Sequence, residues 1–205
     1  MLLCDIGNTS YHFLDDESDY KKSVNSFNPL EITQEVFYIC VNPVIAKLLK
    51  GQKNWIDLAP YVDMKNYYET MGVDRIFACE SVSNVVIVDA GSAITVDIVK
   101  EGVFEGGFIY PGIEAMQETY TNISSRLDYS FNFECDLDIM PKNSQDAISY
   151  GFLKTLYSEV ISHKMDVILT GGDAYEFQKV FKNAKVKEDL IFSGMKKIIK
   201  KADLC

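Results

Sequence analysis

Residues 85–99 read VVIVDAGSAITVDIV. Four apolar residues open the run, a β-prone series closes it, and Gly91-Ser92 stands at the join. That pattern predicts two antiparallel strands joined by a tight turn. Asp89 falls where the first strand runs out, two residues ahead of the glycine. A carboxylate is costly to bury without a partner, so a cation or a hydrogen-bond donor is expected beside it.

The same object opens the chain. Leu2-Leu3-Cys4-Asp5-Ile6-Gly7-Asn8-Thr9-Ser10-Tyr11-His12-Phe13-Leu14 again gives apolar strand, Asp, one spacer residue, Gly, a polar turn residue and a second strand. A repeated unit predicts two similar halves facing each other. In such turns glycine lets backbone N–H groups approach a phosphate, and the acids hold the metal that bridges it. Gly-Asn and Gly-Ser are also ordinary hairpin residues; the acid at the same offset in both copies is what favours phosphate.

At 205 residues the chain has room for one large or two small domains. Hydrophobic residues at 47% and charged residues at 24% are ordinary for a soluble globular protein. The net charge of −10 argues against nucleic acid as the main partner, because phosphate binding needs a basic footprint. Lys196, Lys197, Lys200 and Lys201 make a basic run at helical spacing, expected as a solvated helix end. Cys4, Cys40, Cys79, Cys135 and Cys205 show no CxxC spacing and are expected as reduced residues, several of them in the core, of a cytoplasmic protein. With only His12 and His163 present, no zinc site is expected. The first residues run straight into a strand, so neither a signal peptide nor a membrane span is expected.

Along the chain, residues 15–22 fit a polar turn and residues 31–36 a short helix. Residues 36–41 (VFYICV) are a continuous apolar run, suited to a strand covered on both faces. Asn42-Pro43 then starts a helix that Gly51 stops. Residues 71–75 lead into another helix, with Ile76, Cys79 and Val82 as its buried stripe. A boundary follows Asn84, giving halves of residues 1–84 and 85–205 without a flexible tether. In the second half, residues 103–110 predict a strand bent at Gly106-Gly107, and Pro111-Gly112 starts a helix. Residues 128–142 read as irregular, 144–164 as a long helix, 166–170 as a strand and 175–181 as a helix. Leu190-Ile191-Phe192 reads as a last strand before a basic helix.

No GxxxxGK[ST], GxGxxG or GxSxG pattern occurs, which excludes a P-loop, a dinucleotide fingerprint and a hydrolase elbow. Gly171-Gly172, between a strand and a helix, suits ribose or phosphate, and packing explains it equally well. Asp74-Arg75 opens a helix. Structurally the pair is an N-cap and a surface residue. Chemically, an acid that reaches a substrate hydroxyl takes its proton, while the guanidinium offsets charge on substrate or phosphate.

Asp5-Ile6-Gly7-Asn8-Thr9, Gly72-Val73-Asp74-Arg75 and Asp89-Ala90-Gly91-Ser92-Ala93-Ile94-Thr95 resemble, in order and spacing, the three signature motifs of type III pantothenate kinases. Gly106-Gly107 with Pro111-Gly112, residues 143–147 and residues 170–174 are similar too, so the resemblance spans essentially the whole chain. That family belongs to the acetate and sugar kinase/Hsc70/actin superfamily. The resemblance implies an α/β fold of two ribonuclease-H-like (actin-like ATPase) halves with a central mixed sheet in each and ATP between them. It also implies a homodimer whose interface helps form the pantothenate pocket.

By position, the resemblance makes Asp5, Ile6, Gly7, Asn8, Thr9, Ser10, Tyr11 and His12 the first ATP-binding loop, with Asp5 near Mg²⁺ through water. Ser92 lies on the ATP phosphates, and Asp89 is the ligand of a monovalent cation, K⁺ or NH₄⁺. Asp74 is the proton acceptor. Gly72, Val73, Asp74, Arg75 and Ser144 contact pantothenate, joined by Tyr67 or Tyr68, of which Tyr68 is preferred. Ser92 and Ser144 replace the commoner threonines, keeping each hydroxyl but losing a methyl group. His12 stands where many members carry lysine.

The expected activity is ATP-dependent phosphorylation of the 4′-hydroxyl of pantothenate, the first step towards coenzyme A, in the cytoplasm and without nucleic acid or membrane. The alternatives are a non-catalytic nucleotide-binding regulator on the same fold, or another small-molecule kinase or phosphatase of the superfamily. The regulator alternative is weakened by the presence of Asp5, Asp74, Arg75 and Asp89 together, since a binding module has no need of an acid beside the substrate loop.

Overall fold

The computed structural model describes residues 1–16 and 18–204. Two compact units make up the chain: Met1–Ser81 with Asp189–Cys205, and Val82–Glu188.

In the first unit β1 (Leu2–Ile6), β2 (Ser10–Leu14), β3 (Asp19–Ser23), β4 (Val36–Cys40) and β5 (Trp55–Asp57) form one sheet in the order β3-β2-β1-β4-β5. The first three strands are antiparallel neighbours, and β4 and β5 join parallel to β1. Leu2, Cys4 and Ile6 share one face with Tyr11, Phe13, Val36, Tyr38 and Trp55, and α1 (Pro43–Leu49) covers that face with Ile45 and Leu49. The alternate residues Leu3, Phe37 and Ile39 are buried as well, which is why β4 reads as an unbroken apolar run and β1 as one interrupted only by Asp5. Asn42 caps α1, its Oδ1 accepting from the N–H groups of Val44 (3.0 Å) and Ile45 (3.2 Å). After β5 comes α2 (Val73–Glu80), which packs on β4.

The second unit repeats the plan. β6 (Val85–Ala90), β7 (Ala93–Lys100) and β8 (Val103–Pro111) are antiparallel neighbours. β9 (Val167–Thr170) and β10 (Lys185–Val186) add on parallel to β6, giving β10-β9-β6-β7-β8. Inserted after β8 are α3 (Ile113–Ile123) and α4 (Ser144–Ser162), and α5 (Ala174–Val180) links β9 to β10. Val86, Val88, Ala90, Ile94 and Val96 form the core with Phe152 and Leu156 of α4 and Phe177 of α5. The duplication noticed in two turns therefore extends to strand order and direction in both sheets. This is the expected α/β architecture of two mixed five-stranded halves.

Residues 189–204 carry α6 (Leu190–Lys201), which packs with α2 and β1 in the first unit. The sequence placed residues 85–205 together, whereas contacts put this last helix with the other half. Leu190-Ile191-Phe192, expected as a strand, is the first turn of α6. Its buried positions, Leu190, Met195, Ile198 and Ile199, recur at helical intervals. The strand that does precede it is the two-residue β10. Residues 19–22, expected within a turn, belong to edge strand β3, and of residues 31–36, expected as a short helix, only Glu31 is helical, as the end of a 3₁₀ turn over Pro29–Glu31, while Val36 opens β4.

Lys197 of the basic run donates to the backbone carbonyl of Glu80, placing a cation at the C-terminus of α2. Cys4 and Cys79 are buried thiols, Cys40 and Cys135 half-buried ones, and Cys205 lies outside the described residues. Among the described residues no helix is long and apolar enough to cross a membrane.

Candidate active site

The first turn is closed by Gly7, whose N–H donates to the Ser10 carbonyl at 2.9 Å. Asn8 and Thr9 stand exposed at its tip, and Asp5 sits half-buried one residue before the end of β1. His12 is the cross-strand partner of Asp5, so both side chains leave the same face. The His12 ring is engaged: Nε2 lies 2.6 Å from Asp19 Oδ1 on β3, and its ring meets Phe192 edge-on at 4.7 Å between centroids. Ile6 and Tyr11, also assigned to the loop, point into the apolar core instead, and both are fully buried. Their side chains therefore do not line the turn.

Asp74 lies in the first turn of α2, where a carboxylate complements the helix dipole. Its Oδ1 accepts from the Arg75 N–H at 2.8 Å, and the side chain folds over Gly72, where a Cβ would strike that same oxygen. Burial pushes the Asp74 carboxyl above its usual range, and the Arg75 N–H and guanidinium only partly oppose this. Arg75 is 5% exposed, far from a surface residue. Its Nη1 donates to the Tyr68 hydroxyl at 2.7 Å, with the guanidinium 5.9 Å from the Tyr68 ring centre. Tyr67 donates instead to Glu80 at 3.1 Å. Tyr68 is thus tied to Arg75, and its ring remains exposed.

In the second unit, Asp89 ends a three-strand row. It is the cross-strand partner of Thr95 on β7 and of Thr170 on β9, so the three side chains share a face. The Thr95 hydroxyl is buried and has no hydrogen-bond partner. Gly171, at φ 88°, brings its backbone against Asp89 and Ala90, where any Cβ would collide with Asp89 Oδ1 and the Ala90 carbonyl. Gly112 does the same for the carbonyls of Gly91 and Ser92, fixing the turn and leaving Ser92 exposed. Gly171 therefore serves packing around Asp89, whereas a Cβ at Gly172 would meet open space. Ser144 starts α4 as an exposed residue behind the Asn143 cap, whose Oδ1 accepts from the Asp146 N–H at 2.9 Å. Asn132 and Asn143 both donate to Asp146, holding its carboxyl below the usual range.

The donor chemistry suits the implied ions. Among the described residues no three His, Cys, Asp or Glu side chains cluster as a metal cage. Asp5 offers a single hard carboxylate, which fits Mg²⁺, an ion that keeps its waters and rides on substrate phosphates. Around Asp89 the offer differs, a carboxylate beside an unpartnered hydroxyl oxygen, which fits a weakly hydrated monovalent cation. Sequence reasoning gave Thr95 no role, although it lies inside the quoted motif. It also passed over Asp19, since nothing in the chain marks which acid will face His12.

A family model described as type III pantothenate kinase matches residues 34–164. A type III pantothenate kinase from Sulfurimonas denitrificans is 62% identical over 205 residues, 100% of each chain. The crystal structure of a Campylobacter jejuni protein described as a Baf family transcriptional activator superposes with a TM-score of 0.90, at 42% identity and 100% coverage of both chains. Spiroplasma citri MreB 5, solved bound to AMPPNP, superposes with a TM-score of 0.51 at 12% identity, over 99% of this chain and 96% of its own. That last likeness shows the fold alone, an actin-like ATPase fold. Identity held from end to end, on a chain whose acids and glycines stand where the motif order put them, settles its kinship: it belongs to the type III pantothenate kinase family.

Proposed function

We infer that this chain transfers the γ-phosphoryl group of ATP to the 4′-hydroxyl of pantothenate, the opening step of coenzyme A biosynthesis. The observation that carries the reading is Asp74, a half-buried carboxylate beside a buried arginine that is itself held by an exposed tyrosine. As the hydroxyl oxygen bonds to phosphorus and the bond to the ADP oxygen breaks, Asp74 accepts the hydroxyl proton. Its raised pKa makes it a stronger base than an ordinary aspartate once ionised. Arg75, Tyr68, Gly72, Val73 and Ser144 position the alcohol. The backbone of the Gly7-Asn8-Thr9 turn and the Ser92 hydroxyl receive phosphate, work that is mostly positioning and charge neutralisation.

Asp5 would hold Mg²⁺, through water, and Asp89 would hold K⁺ or NH₄⁺. When bound, these ions supply the positive charge that a P-loop lysine supplies elsewhere. The enzyme is proposed to act in the cytoplasm as a homodimer. Asp74→Asn is expected to bind ATP normally, by calorimetry, and to lose about 10²–10⁴ in turnover. Near-normal turnover would overturn the assignment of Asp74.

One observation favours a second reading, the regulator description attached to the Campylobacter jejuni structure. The net charge of −10 weighs against a DNA-binding role. An ATP-consumption assay with pantothenate, set beside a DNA mobility shift, separates the two.

A further inference from the structure

We propose that Thr95 is the second side-chain ligand of the monovalent-cation site at Asp89. The inference rests on the reading of Asp89 given above and adds a residue to it. Asp89 and Thr95 are paired residues on adjacent strands, so their side chains rise from one face, about 5 Å apart at the backbone. The Thr95 Oγ1 is sealed from solvent and makes no hydrogen bond. A buried hydroxyl is almost always satisfied, and an orphan calls for an explanation. An anion is a poor one here, because the Asp89 carboxylate next to it would repel the newcomer.

A cation that takes both oxygens explains the pair together. It neutralises Asp89 and uses the lone pairs of Thr95. The surroundings agree with a built site. Thr170 extends the same row on the other side of Asp89 and is 3% exposed. Gly171 keeps side-chain carbon away from Asp89 Oδ1, leaving that edge to backbone.

The test uses nucleotide-free protein, so it does not depend on turnover. Thermal unfolding is followed at constant ionic strength in tetramethylammonium, Na⁺, K⁺ and NH₄⁺ chlorides, with wild type, Thr95→Val, Thr95→Ser and Asp89→Asn. Wild type should gain in midpoint with K⁺ or NH₄⁺ concentration, as binding to the native state requires. Thr95→Val should weaken the apparent cation affinity about 10-fold or more, the scale of losing a partner at a metal site. Thr95→Ser should keep it. In tetramethylammonium, Thr95→Val should unfold no earlier than wild type, since it removes an unsatisfied hydroxyl. A purely structural threonine would lose stability in every salt alike.

If Thr95→Val keeps the full K⁺ response while Asp89→Asn loses it, Thr95 is not a ligand, and the reading of Asp89 stands. If wild type ignores both K⁺ and NH₄⁺, the cation site and the Thr95 proposal fall together.

Discussion

Asp74 sets function against stability within one side chain. Burial holds its folded pKa above the unfolded one. Its contribution is therefore complete below the unfolded value, about 3.9, and is lost as pH rises through the folded value. At neutral pH the ionised carboxylate costs stability. Asp74→Asn should accordingly unfold at a higher temperature than wild type at pH 7, with the gap closing in acid. The same shift predicts that kcat/KM for pantothenate falls on the acid side at a pH above the ordinary carboxylate range. His12 offers a second residue-scale prediction. Asp19→Asn removes the charged partner 2.6 Å from its ring, and should raise KM for ATP about 3-fold, as for a part-exposed pair, without moving KM for pantothenate. Asp5 and Asp89 stand out in the sequence because an acid at the end of an apolar strand conflicts with packing, and Asp74 because it stands directly beside Arg75 at a helix start. Thr95 and Asp19 do not, because their meaning comes from the strand opposite, which no local pattern names.

The elements that the sequence disclosed are those with local signals. Both Asp-x-Gly hairpins, the Asn42-Pro43 helix start and the long α4 formed as expected. β3 was missed because its residues DYKKS are all exposed and its pairing with β2 alone makes it a strand. α6 was misread at its start because three adjacent apolar residues suit a strand of any sheet, and only its later positions reveal the helical period. Its crossing with α2 depends on Gly194, where a Cβ would strike the Phe77 carbonyl. Gly194→Ala gains up to about 1 kcal/mol of helix propensity. It also forces two helices apart, at about 1–3 kcal/mol for overpacking. Net destabilisation of up to about 2 kcal/mol is expected in urea unfolding, whereas any stabilisation would show that the helices separate freely.

Across the whole molecule, charge, the two-unit plan and the absence of a P-loop could all be read in advance, but the membership of the last helix could not. Leu190, Phe192, Met195, Ile198 and Ile199 are each at most 2% exposed. At about 1.5–3 kcal/mol per buried side chain they carry roughly 7–15 kcal/mol, as much as the net stability of a typical domain, about 5–15 kcal/mol. Removing residues 189–205 should therefore abolish hydrogen-exchange protection in β1 and β4 while that of β6 and β7 survives. Light scattering on the intact protein checks the proposed homodimer at the same scale. The interruption of the first unit by the second also reverses the order of assembly during synthesis. The sheet that leaves the ribosome first is the last to close. Until α6 is made, β1 and α2 lack the helix that packs on them, so the nascent N-terminal half is the stretch on which holding chaperones should be found.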